Sequence, residues 1–191
     1  TPLCQGKARE IAIAGGGKPV GAGRFARKAG DQWAFRASPE FDGNTLALAA
    51  ALIEEMQLGR GAAPDIIAIG LSATDYVGHS FGTEGEEMCL QLTELDREVG
   101  DFLKVLDSRH IDYAVTLTAD HGGKDVPERE QLGGINASRV DPSLSAATMG
   151  KALVTKLGLK GPGLFGDSPA SASRCGRRTS LSGCCSCTVA R

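Results

Sequence analysis

The sequence predicts an α/β protein with a mostly parallel sheet and flanking helices, present as a partial domain. Three observations carry that expectation. Helix-spaced and continuous apolar segments alternate between residues 42 and 157. The two continuous segments are short and rich in β-branched residues, as buried parallel strands are. Each of them runs into a polar cluster, at the strand end where open parallel sheets bind ligands.

In chain order, residues 1–41 form a glycine-rich irregular segment that belongs with the domain. Gly15, Gly16, Gly17 and Lys18 invite comparison with a phosphate loop, but Pro19 stands where that loop has Ser or Thr. Gly21, Gly23 and Ala26 spell a dinucleotide fingerprint without the strand-to-helix setting it requires. Flexible turns are expected at both places, with Trp33 and Phe35 as core or loop anchors. The α/β region proper is placed at residues 42–166.

Asp42, Gly43 and Asn44 are suited to cap a helix running to Leu58, with Leu48, Ala49, Leu52, Ile53 and Met56 at helical spacing. Gly59 suits a left-handed C-cap. After Pro64, residues 66–71 (IIAIGL) read as a buried strand. Residues 84–107 read as a long helix, with Met88, Leu92, Leu95, Val99, Phe102, Leu103 and Leu106 along one face. His110 then serves as a solvent-facing terminator that suits the helix dipole. Residues 113–118 (YAVTLT) make a second strand, and Asp141-Pro142 opens a last helix to Leu157. Residues 167–191 keep neither period and read as a disordered or out-of-frame tail, whose crowded cysteines lack zinc-ligand spacing.

Composition narrows the classes of partner. With 41% apolar and 23% charged residues and a formal net charge of −2, the chain suits a folded domain and gives no footprint for nucleic acid. No stretch reaches the roughly 18 apolar residues of a membrane span, and the start carries no signal peptide. Cys4 and Cys89 stand isolated.

The two polar clusters carry the chemistry. One contains Asp75 and His79, the other Asp120 and His121, using two of the three histidines. A carboxylate with a neutral imidazole is good zinc chemistry, and two such sets suit a pair of metals about 4 Å apart. Lys124, Glu128 and Arg129 follow in what reads as a solvated loop.

Asp75-Tyr76-Val77-Gly78-His79, then Gly82, Glu87 and Leu95-Asp96, then Thr118-Ala119-Asp120-His121-Gly122, resemble the alkaline phosphatase superfamily. The branch is that of bacterial alkaline phosphatases related to type I phosphodiesterase/nucleotide pyrophosphatase. The resemblance spans roughly residues 20–166 and implies an alkaline-phosphatase-like fold with two zinc ions per complete site. It implies Asp75 and His79 as ligands of one zinc, and Asp120 and His121 as ligands of the other. The implied activity is zinc-assisted hydrolysis of small phosphate esters, in a periplasmic or secreted protein. The alternatives are a phosphodiesterase or sulfatase of the same superfamily, or an inactive metal-binding fragment. The family's threonine nucleophile falls upstream of the matched part, so no catalytic residue is assigned within this chain. A further zinc-binding His is expected late in the family's sequence, and no His follows His121 here. Glu94 replaces a usual Arg, and Gly85 and Leu90 replace a frequent Ser and Asp.

Overall fold

The computed structural model describes residues 2–164; the expected tail lies outside the described residues. Two units separate along the chain, one ending at Ser138 and the other starting at Arg139. In the first, α1 (Pro2–Gln5) precedes a small antiparallel ribbon of β1 (Ile11–Ile13) and β2 (Gly17–Val20). The helices α2 (Gln32–Arg36), α3 (Glu40–Glu55), α4 (Ala73–Phe81), α5 (Glu86–Ser108) and α6 (Pro127–Leu132) follow. The second unit holds a 3-10 turn (Pro142–Leu144) and α7 (Ala146–Leu157).

The long helix falls where its apolar stripe places it, within two residues at each end. It closes at His110, which takes the left-handed conformation (φ 54°). The N–H of Ile111 reaches back to Leu106 and that of His110 to Asp107, the two bonds of a Schellman cap. At the end of α3 the same pair of bonds places Gln57 (φ 53°), not Gly59, in the left-handed position. The start of α3 also differs from expectation. Asp42 does not cap it but lies inside it, fully buried, and serves another helix. In the second unit, Asp141 caps the 3-10 turn and Ser145 caps α7, so the single expected helix is split in two.

The α/β class stands, but neither expected parallel strand forms. Residues 66–71 and 113–118 carry no ladder, and the one sheet among the described residues is the β1–β2 ribbon. A parallel strand is a non-local structure that needs a neighbour in register. Here Ile66 is 93% exposed and Leu117 89% exposed, so no second layer covers either segment.

Packing links the ribbon to the region after His121. Ile11 and Val20 are buried with Val126, and Ile13 and Phe81 close the cluster. Cys4 and Cys89, isolated from the other cysteines in the sequence, are joined in a disulfide with Cα atoms 5.6 Å apart, tying α1 to α5. Next to it, the dinucleotide-like glycines have a definite purpose. The N–H groups of Gly21, Ala22 and Gly23 all donate to the buried carboxylate of Glu87, at 2.8–3.1 Å. Gly21 (φ 95°) has no room for a Cβ, which would run into the Arg9 carbonyl.

Candidate metal site

The Asp75-x-x-x-His79 motif sits on α4, an element that sequence periodicity does not reveal. The stretch contains Thr74, Tyr76, Val77 and Gly78, all modest or poor helix formers. Tertiary contacts supply what propensity lacks. Ser72 makes no side-chain cap; Asp42 of α3 accepts the Ala73 N–H instead, at 3.1 Å. Gln91 of α5 donates to Asp42 at 3.3 Å and to the Thr74 hydroxyl at 3.4 Å. Burial pushes the Asp42 carboxyl above its usual range, while the bonds from Ala73 and Gln91 pull the other way. Val77 is fully buried and pins the opposite face of α4.

With α4 so held, the i,i+4 spacing puts Asp75 and His79 on one face, and His79 Nε2 lies 3.3 Å from Asp75 Oδ1. Asp75 stands in the first turn, where the helix dipole favours a carboxylate, and His79 in the last. The second motif approaches the same carboxylate, with His121 Nε2 3.6 Å from Asp75 Oδ1 and 3.7 Å from Asp120 Oδ2. All four sequence-predicted side chains are thus brought together. They line a cavity of about 840 Å³ with Thr74, Thr83 and Lys124.

His121 has a defined orientation. Its Nδ1 lies 2.8 Å from the Gly122 carbonyl oxygen, an arrangement that requires a proton on Nδ1. This directs the other ring nitrogen toward the two carboxylates. The Gly122 carbonyl first, then the charges of Asp120 and Asp75, raise the His121 imidazole above the ordinary histidine value.

The segment beyond His121 departs from the expected solvated loop. Lys124 is solvated, but Glu128 accepts the Ala14 N–H at 2.9 Å. Arg129 is half-buried in an ion pair with Asp125 (14% and 5% side-chain exposure). The i,i+4 spacing of those opposite charges was the available sequence signal. Nothing in the sequence pointed to Glu87 as the anchor of residues 21–23.

The chemistry of the donor set suits zinc, since two carboxylates and two imidazoles follow one another at nitrogen-to-oxygen separations of 3.3, 3.6 and 3.7 Å. Among the described residues, no three His, Cys, Asp or Glu side chains are grouped so as to hold one ion.

This frame is that of alkaline-phosphatase-like proteins. The chain is 53% identical over 154 residues to alkaline phosphatase PhoK of Sphingomonas sp, covering 80% of this chain and 28% of that protein. It is 47% identical to alkaline phosphatase PhoD of Zymomonas mobilis, over 75% of this chain and 25% of that one. The crystal structure of alkaline phosphatase PafA matches with a TM-score of 0.58 and 31% identity, over 66% of this chain and 24% of that chain. A family model described as type I phosphodiesterase / nucleotide pyrophosphatase matches residues 16–157, and the chain belongs to that family. It spans about a quarter of the length of these relatives. The alkaline phosphatases are generally metal-dependent. No helix among the described residues is long and apolar enough to cross a membrane.

Proposed function

We propose that this chain carries the paired metal-ligand region of a zinc-dependent phosphoric ester hydrolase of the alkaline phosphatase type. The observation that carries the reading is the approach of His121 Nε2 to Asp75 Oδ1 at 3.6 Å, across 46 residues of sequence. Asp75 and His79 would hold one zinc, and Asp120 and His121 the other. When bound, such a pair of ions neutralises phosphoryl oxygens and lowers the pKa of an attacking oxygen nucleophile.

The chain's own residues prepare that chemistry. Asp75 and Asp120 bring negative charge to the cavity wall, which favours divalent cations and leaves net positive charge for a phosphate ester once they are bound. The Gly122 carbonyl fixes the His121 tautomer. Asp42 and Gln91 hold the first turn of α4, and with it Asp75, in place. The substrates are small phosphate esters. No residue of this chain is assigned as nucleophile, so the isolated chain is expected to turn over no substrate.

The family match favours a second reading, hydrolysis of phosphodiesters, because its description names a phosphodiesterase. A periplasmic or secreted location is supported by the Cys4–Cys89 disulfide, a bond that persists in oxidising compartments.

The test uses the whole protein in which this chain occurs, with Asp75→Ala and Asp120→Ala compared singly and together. Zinc content and hydrolysis of p-nitrophenyl phosphate are expected to fall together in each variant. Preserved zinc and turnover in the double variant would sink the proposal. A larger rate on bis-p-nitrophenyl phosphate would favour the diesterase reading.

A further inference from the structure

Two contacts join the flanks of the separate motifs, and the first lies at matching places in the chain. The N–H of Thr83, four residues beyond His79, donates to Asp125 Oδ1 at 2.9 Å; Asp125 is itself four residues beyond His121. Arg129 pairs with that same oxygen and reaches back through Nη2 to the Phe81 carbonyl at 3.5 Å. Arg129 thus bonds both the end of α4 and the segment that follows His121.

Steric fit makes the junction close. Gly82 (φ 85°) lies so near Asp125 that a Cβ would collide with its carboxylate oxygen. A Cβ on Gly123 would come within 2.7 Å of the Thr83 methyl group. Both strands of the junction are therefore backbone pressed against the other's side chain, around an ion pair largely withdrawn from water.

We infer that Asp125 and Arg129 are positioning residues: a half-buried clasp that sets the spacing between the Asp75–His79 pair and the Asp120–His121 pair. The inference rests on the metal-binding reading above for its purpose, and on the geometry alone for its existence. The four donors are themselves solvated, His79 at 75% and Asp120 at 88% side-chain exposure, so packing around them cannot fix their separation. The clasp touches the flanks of both motifs, through Thr83 and Phe81 on one side and Asp125 on the other. Removing the guanidinium leaves the Asp125 carboxylate buried with one N–H donor, which frees the segment to move.

Two measurements separate the clasp from its purpose. In the metal-free chain, Arg129→Met should accelerate amide exchange about tenfold or more at residues 79–85 and 119–126 together, with α3 unchanged. Arg129→Lys should restore part of the protection, and it replaces Arg129→Met if that variant fails to fold. Titration with Co2+, followed by its visible absorption against a competing chelator, should show affinity falling about 10- to 100-fold in Arg129→Met. Asp75→Ala is the control for the metal itself. Unchanged exchange in either segment overturns the clasp. Unchanged Co2+ affinity in Arg129→Met, with affinity lost in Asp75→Ala, overturns its positioning role and leaves the metal reading intact. No Co2+ uptake by the wild-type chain, or no loss in Asp75→Ala, sinks the metal reading and this role with it.

Discussion

The helical region around α4 and α5 and the two unpaired segments at residues 66–71 and 113–118 invert each other's chemistry. In the first, polar side chains are buried: Asp42, Glu87 and Gln91 are almost wholly withdrawn from water, each with hydrogen-bond partners. In the second, apolar side chains are exposed, with Ile66, Val115 and Leu117 facing solvent. A helix closes its backbone bonds locally and can spare side chains for tertiary polar contacts. A strand depends on neighbours for both its backbone bonds and its faces. The difference teaches that this chain's order comes from its helices and their polar joints, and the Asp–His motifs are held from that side.

The largest expected effect is at the joint around residues 21–23. Glu87→Ala leaves three N–H groups without their acceptor, and urea unfolding should show a loss of about 3 kcal/mol or more. Glu87→Gln keeps one acceptor oxygen and should lose less. Equal stability of Glu87→Ala and wild type would break the contrast at its strongest point.

Reducing the Cys4–Cys89 disulfide opens a closure across 85 residues and should cost about 2–4 kcal/mol in the same assay. A cost near zero would mean that α1 is held to α5 by packing alone.

The smallest effects belong to the unpaired segments. Ile66→Asp should change stability by less than about 0.5 kcal/mol, because the side chain is already in water. Val77→Ala, at a fully buried position of α4, should cost about 1–2 kcal/mol. If the two substitutions cost the same, the segments are packed in solution in a way that their exposure denies.

What the sequence made legible follows the same division. The apolar stripe from Met88 to Leu106 gave α5 nearly to its ends, because helical burial leaves a short-range period. The Asp75–His79 and Asp120–His121 pairs stood out by residue type and local spacing, and the structure brings them near one another. Helix α4 was not legible, because its N-terminus is capped by Asp42 from another helix, 31 residues earlier. For the same reason Asp42, a good local cap, was placed on the wrong helix. The glycines at 21 and 23 were expected in a flexible turn, but their N–H groups bind a protein carboxylate 64 to 66 residues away. Residues 66–71 and 113–118 have the composition of strands; pairing, which composition does not encode, is absent from them among the described residues.

The central claim is that Asp and His side chains, and not the chain's cysteines, take the metal. X-ray absorption at the zinc edge of the zinc-loaded chain tests it directly, because Cys175, Cys184, Cys185 and Cys187 offer a competing thiolate set. The account predicts a first shell of nitrogen and oxygen at about 2.0–2.2 Å, with imidazole scattering that disappears in the His79→Ala, His121→Ala double variant. A shell of sulfur at about 2.3 Å, unchanged in that variant, would contradict it.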